Sequence, residues 1–170
     1  MHLRIRACLA CIALITASSA RAHAQKGDSL RVPILVYHSV MPHHPGQTRE
    51  QRVLDVDDSV FVKQMQYLAN DGYHVVPLGA LVDALEGKAA LPRQPVVLTF
   101  DDGWKNQFRH AFPILRRFGV TATFFVFTAP IGTDDKVMTW KDLAALQAAG
   151  MTIGSHTRTH GVARESPGAP

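Results

Sequence analysis

The sequence predicts an α/β fold built on a parallel sheet, and three observations carry that prediction. Short apolar runs rich in Val, Ile, Phe and Thr alternate with stretches of helical periodicity between residues 32 and 155. The helical stretches close on glycines, at Gly72, Gly87, Gly119 and Gly150. The residues able to do chemistry follow the strands: His38, the pair Asp101 and Asp102, and His156 with His160. In parallel-sheet folds, ligands bind at the carboxyl ends of the strands, so these groups are expected to share one rim despite their separation in sequence.

The elements follow in chain order. Residues 1–24 combine Arg4 and Arg6, an apolar stretch over 7–17 and Ala22-His23-Ala24, which reads as a secretory signal peptide cleaved after Ala24. The apolar stretch is too short for an ordinary spanning helix, so no spanning segment is expected in the mature chain. Export to a periplasm or the cell exterior follows. Cleavage removes Arg4, Arg6 and Arg21 and no acid, so 18 basic residues become 15 against 14 acids and the net charge drops from +4 to +1. A basic protein suited to nucleic acid is thereby excluded. Cys8 and Cys11 leave too, which removes disulfides and cysteine-based metal sites.

Residues 25–31 read as a flexible lead and 32–37 as a buried strand ending at His38. Residues 41–52, polar with two prolines, read as a loop. Asp58 or Ser59 is expected to cap a helix whose apolar face is Phe61, Met65, Leu68 and Ala69. A strand is expected over 73–76, a helix over 78–85 and a strand over 96–100. Phe108, Ala111, Phe112, Leu115 and Phe118 recur at helical spacing, with Pro113 predicting a kink or a restart. The β-branched and aromatic residues of 121–127 predict a strand. Thr139 and Asp142 have the spacing of a capping box for a helix ending at Gly150, before a last strand over 151–155.

Two stretches carry chemistry. TFDDGW at 99–104 places adjacent carboxylates at a strand end, and GSHTRTH at 154–160 places two histidines four apart. Asp-Asp-Gly alone is a common turn signal, and a lone H-x-x-x-H occurs by chance. Together on one rim they point to a metal site. One helical turn, or a loop curling the same way, brings His156 and His160 to one point. Two imidazoles and a carboxylate leave open positions and suit catalytic zinc or another divalent first-row metal. Asp102 is a candidate for that carboxylate, with Asp101 then free to take a proton from an attacking water. Metal-assisted hydrolysis is the implied reaction class. His38 lies on the right rim for a general acid. Trp104 either covers the site or packs under the following helix. His43, His44, His74 and His110 read as surface or core histidines, and Tyr37 as a core tyrosine.

With TFDDG and SHTRTH paired in this way, the sequence resembles the polysaccharide deacetylases, the NodB-like carbohydrate esterases. VPILVYHSV, FVKQMQYLANDGYHVVPL and AFPILRRFGVTATFFV are similar to the exported members, and the resemblance covers residues 32–161. It implies a distorted (β/α) barrel, Asp101 as general base, and Asp102, His156 and His160 as ligands of a divalent metal, usually Zn2+. It implies removal of acetyl groups from an N-acetylglucosamine polymer. The family pattern continues with an arginine motif, a tryptophan-bearing motif and a Leu-x-His motif whose His is the catalytic acid. Residues 162–170 read instead as a tail. The expectation is therefore the N-terminal part of the barrel, incomplete, aggregation-prone and weakly active or inactive, since so few strands do not close a barrel. The alternatives are a non-catalytic remnant or glycan-binding partner of a complete enzyme, and a hydrolase of another acyl group.

Overall fold

The computed structural model describes residues 30–161. The signal peptide expected at 1–24, most of the lead at 25–31 and the tail at 162–170 lie outside the described residues. Strand β1 (Ile34–Tyr37) is followed by the two-residue strand β2 (Ser39–Val40), helix α1 (Arg49–Leu54) and strand β3 (Asp55–Val56). Then come α2 (Asp58–Asn70), β4 (His74–Val75), α3 (Leu78–Leu85) and β5 (Pro95–Phe100). A π-helical turn (Gln107–Ala111) runs into α4 (Phe112–Phe118), followed by β6 (Thr123–Val126), α5 (Trp140–Ala148) and β7 (Thr152–Ser155).

The main sheet is parallel, as the alternation of elements requires, in the order β1-β5-β6-β7. β4 pairs with the beginning of β5, through His74 with Pro95 and Val75 with Val96. β5 is the central strand: Val96, Val97, Leu98, Thr99 and Phe100 are all buried. Burial on both faces explains why its sequence is an apolar run without alternation. Leu98, Phe100 and Phe124 share one face with Tyr37, packed against Phe61 and Met65 of α2 and Leu115 of α4. Phe100 stacks on Phe124 at 4.7 Å and on Tyr37 at 5.2 Å between centroids. Val97 faces the other way, against Val76 and Leu81. On that second face Ile34 and Val36 are 47% and 53% exposed. Phe125 lies across its neighbour on β7, where a Cβ on Gly154 would come 2.5 Å from the ring. The glycine of GSH therefore makes room for an aromatic side chain.

Two expectations are corrected. The loop expected over 41–52 contains the start of α1, followed by β3, and β2 with β3 forms a small parallel pair. α1 carries no apolar stripe, and its Val53 and Leu54 are exposed, so periodicity had nothing to detect. The cap of α2 is Asp57, not Asp58 or Ser59: its Oδ1 accepts from Ser59 N at 3.0 Å. Ser59 Oγ and the His43 amide also donate to this carboxylate and hold it down at about 2. Of the kink or restart that Pro113 predicts within the helical stretch, the structure shows the restart: a π-turn followed by a fresh α-helix. Pro113, which has no N–H to give, sits in the first turn of that restart.

The expected capping box is present. Thr139 Oγ1 accepts from Asp142 N at 3.2 Å, and Asp142 Oδ2 accepts from Thr139 N at 2.7 Å. Lys105 adds an ammonium to the same oxygen. Burial pushes the Asp142 carboxyl up, but Lys105 and Thr139 outweigh it and hold it below its ordinary 3.8. A depressed carboxylate contributes stability that is full above its unfolded value and lost as pH falls through the folded one. Asp142→Ala is therefore expected to destabilise the protein by about 1–3 kcal/mol at neutral pH. In urea titrations the gap between variant and wild type should close below pH 3.8. An undiminished gap at low pH would assign the loss to packing instead.

Candidate metal centre

The parallel sheet delivers the rim that the sequence predicts. Asp101 N donates to Tyr37 O at 2.9 Å, which sets the ends of β5 and β1 side by side. His156 N donates to Val126 O at 2.9 Å, which does the same for β7 and β6. Beyond β5, Asp102 and Gly103 both adopt the left-handed region, with φ of 75° and 80°. The chain thus leaves the strand abruptly. A Cβ on Gly103 would lie 2.8 Å from Val126 Cγ1, so this turn needs a glycine for space as well as for φ.

The turn buries the Asp102 carboxylate among polar neighbours. Oδ1 lies 3.3 Å from His156 Nε2 and 3.0 Å from His160 Nε2. Neither imidazole has the direction of a hydrogen bond to it, so this oxygen is buried without a donor. The three ligand atoms lie within 4.8 Å of one another. A buried carboxylate oxygen facing two imidazole nitrogens at these distances is an arrangement that a cation satisfies. One oxygen and two nitrogens suit Zn2+ and related divalent ions, with positions left for water and substrate.

A loop, not a helix, brings the histidines together. Thr157 and His160 take φ of 69° and 56°, and His160 N donates to Thr157 Oγ1 at 3.0 Å. Thr128 N and Ala129 N donate to Thr157 O and Arg158 O, which ties the loop to the segment after β6. A β-branched residue at positive φ costs about 1–3 kcal/mol and persists only where neighbours hold it. The site opens to solvent through a cavity of about 220 Å³ lined by His156, Thr157, His160 and Gly161.

Asp101 stands outside the triad. Its Oδ2 is 4.0 Å from His38 Nε2, and both side chains are partly open to solvent. Trp104 Nε1 donates to Asp102 Oδ2 at 2.9 Å. Its ring meets Phe127 edge-on at 5.9 Å, and Phe127 in turn lies 5.5 Å from the His160 ring. His110 lies 3.7 Å from Asp58.

Gln107 went unnoticed in the sequence. It is fully buried, and its Nε2 donates to both His38 O and Asp101 O, strapping together the two segments that carry the proposed acid and base. Asn106 adds a bond to Ser39 Oγ at 2.7 Å. The available signal was positional. Gln107, Ala111 and Leu115 form an i, i+4 stripe facing the core, and a polar residue in such a stripe must find buried partners.

Comparison with known proteins agrees with this geometry. Residues 88–167 match the family model described as polysaccharide deacetylase. The chain is 29% identical over 131 residues to YxkH of Bacillus subtilis, covering 76% of this chain and 43% of that protein. It is 34% identical over 87 residues to the poly-beta-1,6-N-acetyl-D-glucosamine N-deacetylase of Escherichia coli, covering 51% of this chain and 12% of that one. Among solved structures, a de-N-acetylase from Aggregatibacter actinomycetemcomitans superposes with a TM-score of 0.68 at 26% identity. That match covers 81% of this chain and 60% of the structure. The chain thus spans less than half of the curated relatives it matches. The parallel sheet is accordingly part of a (β/α) barrel of the NodB-like type, and residues 88–167 are similar to the polysaccharide deacetylase family.

Proposed function

We propose that this protein is a metal-dependent hydrolase that removes N-acetyl groups from an N-acetylglucosamine polymer. The observation that carries the reading is the convergence of Asp102 Oδ1 with His156 Nε2 and His160 Nε2 beside the Asp101–His38 pair. The names of the Escherichia coli and Aggregatibacter proteins support the N-acetyl chemistry.

Asp102, His156 and His160 would hold the divalent ion, with Zn2+ favoured by the donor set. Bound there, it supplies Lewis acidity toward the acetamide carbonyl and toward water. The remaining chemistry falls to the chain's own groups. The Asp101 carboxylate accepts a proton from the water that attacks the carbonyl carbon. As the C–N bond breaks, His38 in its protonated form donates from Nε2 to the leaving nitrogen, so that acetate and a free amine result. Placing the acid at His38 departs from the family pattern, in which it belongs to a later motif. The support is position: Nε2 lies 4.0 Å from Asp101 Oδ2, and Gln107 fixes both backbones.

The domain carrying this chemistry is residues 32–161, exported after cleavage near Ala24. Mass analysis of the mature N-terminus in the periplasm or medium tests that cleavage. The function is tested by acetate release from oligomers of N-acetylglucosamine. Activity is expected to disappear with a strong chelator and to return with Zn2+. Activity that survives complete removal of metal would refute the reading.

A further inference from the structure

The two oxygens of Asp102 have different neighbours. Oδ1 faces the imidazoles, while Oδ2 accepts the indole N–H of Trp104 at 2.9 Å. We propose that Trp104 is a positioning residue for the metal centre: it fixes the rotation of the Asp102 carboxylate so that Oδ1 alone faces His156 and His160. This inference rests on the metal-centre reading above.

The terminal torsion of an aspartate is broad and nearly two-fold, so a carboxylate without a directed partner samples both orientations. A charge-assisted N–H bond to one oxygen removes that freedom. Indole suits the task because Nε1 is a donor only. It neither competes for the ion nor needs a particular protonation state, and it satisfies an oxygen that is otherwise buried with no partner. The indole is itself held by a neighbouring ring. Its ring rests edge-on against Phe127, which also packs on His160, so one aromatic cluster supports two of the three ligands.

The backbone around it is clamped as well. Trp104 forms a β-bridge with Val137, Lys105 N donates to Lys136 O at 2.7 Å, and Met138 N donates to Gly103 O at 3.0 Å. The Lys105 ammonium then reaches Asp142 in the capping box of α5. The orientation of one carboxylate is thereby tied to a helix start 40 residues away in sequence (about the span from 102 to 142).

The test compares zinc affinity of the full chain, measured by competition with a chromophoric chelator, in wild type, Trp104→Phe and Trp140→Phe. Phenylalanine keeps ring contact with Phe127 and removes the N–H. Trp104→Phe is expected to bind zinc about 10–100-fold more weakly, with the melting temperature of the metal-free protein near that of wild type. Trp140 is 62% exposed, so its replacement should leave affinity unchanged. Equal affinity in Trp104→Phe and wild type overturns the proposal while leaving the metal centre intact. A wild type that takes up no zinc overturns the metal centre and the proposal with it. Should the variant fail to fold, 15N spectra of the two indole groups in wild type decide. The Trp104 signal is expected to be protected from solvent exchange and to move on zinc addition, and the Trp140 signal to do neither. A Trp104 indole that exchanges as fast as that of Trp140 overturns the proposal.

Discussion

Asp102→Ala is expected to eliminate zinc binding by the full chain, seen in native mass spectrometry as loss of the one ion that wild type is expected to hold. Asp102 contributes the only oxygen among the three converging ligand atoms and is the only one of the three residues that is buried. Removing it leaves two imidazoles on a loop and takes away the anionic member of the converging set that offsets a dication. The loss should therefore exceed the ~10–100-fold that an outer partner costs. The same experiment has a thermodynamic readout. An ion that binds only the folded state stabilises it by about 2.7 kcal/mol when present at 100 times its dissociation constant. Wild type should melt higher with zinc by a corresponding amount, and Asp102→Ala should melt at one temperature with or without it. A variant that keeps the zinc-dependent shift would place the ion elsewhere and refute the assignment.

The sequence and the structure agree best where a residue's role is local or periodic. Phe61, Met65 and Leu68 reveal the buried face of α2 because helical spacing forces them to one side. The strand ends were legible for a related reason. Once a parallel sheet is inferred, every strand end points to the same rim, so His38, Asp101, Asp102, His156 and His160 fall together without any knowledge of side-chain packing. α1 lacks that signal, since it covers no core. Also illegible were the roles that depend on long-range registry. Gln107 meets His38 O across 69 positions and Lys105 meets Asp142 across 37, and no local pattern encodes either distance. The positive φ of Thr157 and His160 was hidden for a different reason. Neither residue favours that region, and the tie between 128–129 and 157–158 holds them there.

The strain in that loop bears on how the site works. Asp102, Thr157 and His160 all sit at positive φ without being glycine, and two of these three are proposed ligands. Such backbone geometry persists where surrounding contacts over-determine it, which is how a site is held ready before its ion and substrate arrive. The burial of Asp102, the partial burial of His156 and the exposure of His160 divide the centre into a fixed anionic side and a more accessible side. Asp101 and His38 are 4.0 Å apart and partly open to solvent, unlike the buried Asp102.

That division predicts different behaviour for the two neighbouring carboxylates. Asp101→Asn is expected to lower kcat for N-acetyl hydrolysis by about 10²–10⁴ while zinc affinity stays within a few-fold of wild type. The asparagine keeps the shape and the backbone bond to Tyr37 O but has no site for the proton of the attacking water. His38→Ala is expected to cause a loss of similar size on the amide, for the opposite reason: the departing amine must be protonated. An activated aryl acetate separates the two. Its phenolate leaves without a proton, so His38→Ala should recover most of the wild-type rate on that substrate, whereas Asp101→Asn should remain impaired on both, since water must be deprotonated in either case. If both variants stay impaired to the same extent on the ester, His38 acts with Asp101 in activating water and is not the acid. If Asp101→Asn loses its zinc as Asp102→Ala is expected to do, the base lies inside the metal's ligand set and the division of labour between the two adjacent aspartates is wrong.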